Sequence, residues 1–129
     1  MQVSGLVELA DGGAIDTIGV TTTHPDSHWG TPGVVAALMA LGDSVQRRFG
    51  RGIAVNDMSL PSGGKFDLNN GYDPSGAHDE HRVGTSTDLR TNGWSPLQLE
   101  FIERTWQLLG GSVHDETMNP KGPHFHLRF

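Results

Sequence analysis

The chain has 129 residues, a formal net charge of -6, 18 glycines, 7 prolines and no cysteine. That length fits one domain, 1–129, and the acidic balance argues against a nucleic-acid face, because meeting phosphate needs a basic surface. The lack of cysteine excludes disulfides and thiolate metal sites, no apolar run is long enough to span a bilayer, and Met1 to Gly5 does not open a signal peptide.

Residues 1–20 hold the apolar groups Leu6-Val7 and Ile15-x-x-Ile18-Gly19-Val20. Asp11-Gly12-Gly13 between them reads as a turn joining two short strands. Residues 21–30 read as a polar loop carrying His24, His28 and Trp29. The two histidines are expected at its surface, or alternatively in the wall of a substrate groove. Thr31-Pro32 predicts a helix start, threonine as N-cap and proline in the first turn. Val34, Leu38, Leu41 and Val45 recur at helical spacing and make one apolar face. Arg47 and Arg48 suit the negative end of the helix dipole, and Gly50 suits the exit.

Ile53 to Val55 reads as a strand, residues 56–64 as turn-rich, Lys65 to Leu68 as a possible strand and Asn69 to Gly76 as a polar loop. Thr85 to Leu89 predicts a strand carrying Asp88. Ser95-Pro96 predicts a second helix with Leu97, Phe101, Thr105 and Leu108 on its apolar face, Ile102 and Leu109 beside it, and Gly110-Gly111 as its stop. Ser112 to Thr117 and His124 to Phe129 read as strands. Together these elements predict an α+β fold: a small antiparallel sheet flanked by two main helices.

The chemistry-bearing residues are Gly76-Ala77-His78-Asp79-Glu80-His81-Arg82-Val83-Gly84-Thr85-Ser86-Thr87-Asp88 and, near the C-terminus, His124-Phe125-His126. Imidazole nitrogen and carboxylate oxygen are the donors that suit zinc. Period-two alternation puts His124, His126 and Arg128 on one face of the last strand and Phe125, Leu127 and Phe129 on the other. The apolar face can then pack on a core while the histidines line a cleft. His81, Asp88 and His126 would give Zn2+ three protein ligands and one open position, the arrangement of a catalytic rather than a structural site. Bound zinc lowers the pKa of a water toward about 7 and polarises a carbonyl. His124 is placed to move a proton or to stabilise charge on the carbonyl oxygen, His78 can reach the same site, and Glu116 and Glu80 are rival bases. Tyr72, Trp29 and Trp94 are possible groove walls, or packing residues.

These residues resemble a known family, the zinc peptidases that group lysostaphin-type enzymes, D-alanyl-D-alanine peptidases and the hedgehog signalling domain. The resemblance is nearest to the penicillin-insensitive murein endopeptidases. It rests on Ser59-Leu-Pro-Ser-Gly63-Gly64, on His78-Asp-Glu-His81-Arg82-Val-Gly84-Thr-Ser-Thr-Asp88 and on His124-Phe-His126-Leu-Arg128. It implies His81, Asp88 and His126 as zinc ligands, His124 as catalytic histidine, His78 as a further active-site group, and a hedgehog/D-Ala-D-Ala-peptidase-like fold. It also implies hydrolysis of peptide bonds in peptidoglycan stem or cross-link peptides, at the cell envelope, after secretion or from a phage. The murein endopeptidases are larger, and carry cysteines, a signal peptide and another histidine where this chain has Lys121-Gly122-Pro123. The alternatives are a metal-retaining binding module without turnover, as in hedgehog, and purely structural histidines.

Overall fold

Threonine and proline begin the longer helix as their chemistry dictates. The computed structural model describes residues 5–20, 22, 26–56, 58–61, 84–119 and 122–129. In it, helix α1 spans Pro32–Phe49, and the Thr31 hydroxyl accepts the Val34 N–H at 3.3 Å. Proline in the first turn forfeits no helical bond. Gly50 leaves the helix in the left-handed region at φ 77°, its N–H donating to Gln46 O at 2.8 Å. Val34, Leu38, Leu41 and Val45 are buried, as their spacing predicts. Each such side chain contributes about 1.5–3 kcal/mol by leaving water.

Helix α2 spans Pro96–Leu108 and starts with a reciprocal cap. The Ser95 hydroxyl accepts the Gln98 backbone N–H at 3.2 Å, and the Gln98 side-chain Oε1 accepts the Ser95 backbone N–H at 2.8 Å. Its buried face overlaps the expected one at Phe101, Ile102 and Leu109 but is turned away from Leu97 and Leu108. Ile102 and Trp106 are fully buried with Leu99 and Leu109 packed beside them, whereas Leu97 and Leu108 lie at the surface. The stripe Leu99–Ile102–Trp106–Leu109 also has helical spacing, and the bulk of Trp106 decides between the two stripes. Trp106 Nε1 donates to Ser112 O at 3.1 Å and to Arg128 O at 2.9 Å, tying the helix to two strands.

The main sheet contains β2 (Ile15–Thr17), β4 (Ile53–Val55), β5 (Ser86–Arg90), β7 (His124–Arg128) and β6 (Ser112–Glu116), in the spatial order β2-β4-β5-β7-β6. It is mixed, not wholly antiparallel, because β2 and β4 run parallel. The reason lies in the connection: α1 intervenes between them, and a helical crossover returns the chain in the same direction. A separate antiparallel pair joins β1 (Val7–Glu8) to β3 (Trp29–Gly30). The turn at Asp11 to Gly13 exists, with Gly12 and Ile15 exchanging backbone bonds at 2.8 and 3.1 Å. It lies between two short strands, β1 and β2, as expected, and these pair with β3 and β4 and not with each other.

Register puts Val55, Leu89 and Phe125 in one row across the sheet. With Ile15, Ile53 and Leu127 they meet the buried residues of both helices in one hydrophobic cluster. Among the described residues no helix is long and apolar enough to cross a membrane. The possible strand over 65–68 and the loop over 69–76 lie outside the described residues.

Candidate functional site

The face of the sheet turned away from this cluster is polar, and strand alternation makes it so. Along β7, His124, His126 and Arg128 alternate with Phe125 and Leu127, which point into the core. Cross-strand partners share a face, so register builds two rows. One row is Asp88, His126 and His114; the other is Arg90, His124 and Glu116. The start of β5, which carries Asp88, is held by Gly84. This residue has φ 77°, its carbonyl accepts the Thr31 N–H at 3.0 Å, and a Cβ on it would lie 3.0 Å from Gly30 Cα. Only glycine meets both demands without strain.

Nδ1 of His126 donates to Oδ1 of Asp88 at 3.0 Å. His126 is 6% exposed, so the pair sits at the floor of the polar face. His124 stands beside it, Nε2 lying 3.8 Å from Asp88 Oδ1. Nε2 of His124 also faces Oε2 of Glu116 at 2.6 Å, and its Nδ1 donates to Gly122 O at 2.8 Å. The other Glu116 oxygen is 3.6 Å from Nε2 of His114. Carboxylate and imidazole thus alternate across three strands, from Asp88 to Glu116. Among the described residues no group of three or more histidine, aspartate or glutamate side chains is disposed to hold one metal ion.

Of the expected site residues, the sheet brings Asp88, His126 and His124 together, with Glu116 next to His124. His78, His81 and Glu80 lie outside the described residues, as do Tyr72 and His24. Ser59 is fully buried and exchanges backbone bonds with Trp29, both at 3.0 Å; Gly63 and Gly64 are outside the described residues.

Two residues beside the pair carry no signal in the earlier motif. His114 falls opposite His126, and the alternation His114-x-Glu116 within β6 would have marked both for the polar face. Asn56 donates its N–H to Asp88 O at 2.8 Å, and among the described residues its buried side-chain oxygen has no hydrogen-bond partner. Only strand pairing reveals that position. Asp115, on the other face of β6, accepts the Thr117 N–H at 2.8 Å. Its hydrogen bonds to Thr117 hold its carboxyl below the usual carboxylate range.

One expectation outside the motif needs correction. His28 is not at the surface: it is buried, with Nε2 donating to Val55 O at 2.9 Å and Ser27 Oγ 3.2 Å from Nδ1, and it lines a cavity together with Asp11, Asp16 and Asp26. The last two residues of the expected loop, Trp29 and Gly30, form β3, because Trp29 pairs with both Glu8 and Ser59. Trp94 is a packing residue. It meets Phe49 edge-on at 6.1 Å and carries the Arg51 guanidinium 3.7 Å above its ring.

Comparison of the chain with models of known protein families gives no match, and comparison with curated proteins gives none either.

Proposed function

We propose that the chain is a zinc metallopeptidase acting on peptide bonds of peptidoglycan stem or cross-link peptides, with a hedgehog/D-Ala-D-Ala-peptidase-like fold and a place of action at the cell envelope. The observation that carries this is the meeting of Asp88 and His126, which are 38 residues apart in sequence and 3.0 Å apart at their donor atoms. One oxygen and one nitrogen is a donor pair that zinc accepts. Two ligands of a tetrahedral zinc with bonds of roughly 2.0–2.1 Å stand about 3.3 Å apart, so this pair needs to open by only a few tenths of an ångström. His81 is the proposed third ligand, with His78 as a further group of the site. Zinc, when bound, supplies a water activated near neutral pH and a Lewis acid for the scissile carbonyl.

The remaining chemistry falls to the chain's own side chains. A carbonyl only accepts, so Nδ1 of His124 donates to Gly122 O, while Nε2 faces Oε2 of Glu116 at 2.6 Å. His124 is therefore the imidazole placed beside Asp88 for proton exchange with the carbonyl oxygen or the departing amine.

Purified protein should hold about one zinc per chain and release muropeptide fragments from purified peptidoglycan. His124→Ala should lose turnover by about 10² or more while keeping the zinc. Protein that takes up no zinc would leave the histidines as structural hydrogen-bonding groups. A zinc-loaded chain without turnover would be a binding module.

A further inference from the structure

Apart from the peptidase site, we infer that the outer edge of β6, with the groove between it and α2, binds an extended peptide that carries a lysine or arginine side chain. The main sheet has two edges, β2 and β6. The β2 edge is closed by its own chain: Gly12 exchanges backbone bonds with Ile15, and Asp11 Oδ1 accepts the Thr17 N–H at 2.9 Å. β6 has no such cover among the described residues. Thr91 donates to Pro123 O and Phe129 to Thr85 O, which fixes the alternation along β7: His124, His126 and Arg128 turn their backbone groups toward β6. Their partners Glu116, His114 and Ser112 answer them, so the N–H and C=O groups of Val113 and Asp115 point outward. Among the described residues none of these four groups has a backbone partner. An added strand uses such groups as its ladder.

The groove sets which peptide fits. A residue placed opposite Asp115 shares its face, the one that carries Phe125 and looks toward α2. There a groove of about 550 Å³ has Leu99 and Phe125 as apolar floor and carboxylates along its sides. Glu100 is taken by Arg104 at 2.6 Å, whereas Glu103 and Asp115 form no salt bridge among the described residues. The bonds from Thr117 favour the ionised form of Asp115. A long cationic side chain suits both parts, with its methylenes on the floor and its charge at the two carboxylates. Its neighbours along the added strand turn to the other face, beside His114 and Glu116. A second copy of the chain is the wrong occupant. It would lay the same acidic strand, from a molecule of net charge -6, against Asp115.

The test is binding of fluorescein-labelled heptapeptides of alternating valine and threonine, with lysine or glutamate at the centre, to the full chain. EDTA is present throughout, so the outcome is independent of the zinc proposal. At low salt the lysine peptide should bind at least about tenfold more tightly than the glutamate peptide, and Asp115→Asn/Glu103→Gln should bring the two within about twofold. Only alternate amides of an added strand face its neighbour, so N-methylation of the lysine peptide at odd or at even positions should abolish binding in one pattern and spare it in the other. Equal binding of the lysine and glutamate peptides overturns the role of the groove, and an equal effect of both methylation patterns overturns strand pairing. Failure of every peptide to bind overturns the whole inference. So does a dimer seen in sedimentation at rising concentration and dissolved by Val113→Pro, which would assign the edge to a second copy.

Discussion

Burial strips His28 of water, and that lowers its pKa below the ordinary histidine value of about 6.5; bonding to the Val55 and Ile18 backbone and the charge of Asp11 oppose the shift without cancelling it. The ring is thus neutral in the fold, with Nε2 donating to Val55 O and Nδ1 turned to Ser27. The sign of the pH dependence follows. Between the folded and unfolded pKa values the unfolded chain binds more protons, so stability rises with pH. The contribution of His28 is intact above about pH 6.5 and is lost as pH falls through the folded value. Urea unfolding from pH 7.5 to 5 should show a steeper loss in the unaltered protein than in His28→Gln. Equal slopes would mean that His28 takes up its proton as readily in the fold as out of it. His124 and His126 instead each face a carboxylate across the sheet. Residue type alone does not separate these roles; the neighbours do.

Helix α2 shows how an amphipathic pattern can be ambiguous at the level of one element. Two stripes of apolar residues run along it, and Leu97 and Leu108 belong to the exposed one. Leu97→Ala should change stability by no more than about 0.5 kcal/mol, whereas Ile102→Ala should cost about 2–5 kcal/mol. Chemical denaturation of the two variants checks this, and comparable losses would mean that the helix docks by its other face. Strand β7 was free of that ambiguity. A period of two allows only two faces, and His-Phe-His-Leu-Arg sorts onto them without remainder. Helix starts were equally legible, because Thr31-Pro32 and Ser95-Pro96 combine a side-chain acceptor for an orphan N–H with a residue that has no N–H to satisfy.

For the molecule as a whole, a metal held only by the folded state adds stability by mass action. Free zinc at 100 times its Kd would add about 2.7 kcal/mol, enough to raise Tm by several degrees, and a chelator should remove the increment. A thermal transition unmoved by chelator and by added zinc would count against the metal site. The ends of the helices, the strands flanking the site and the alternation that separates histidine from core could all be read from the order of residues, because each arises within a few positions of the chain. The parallel pairing of β2 with β4, the buried place of His28, the docking face of α2 and the place of Asn56 beside Asp88 could not. Each depends on which distant strand or helix lies alongside, and that choice belongs to backbone pairing and core packing, for which no short stretch of sequence carries the information.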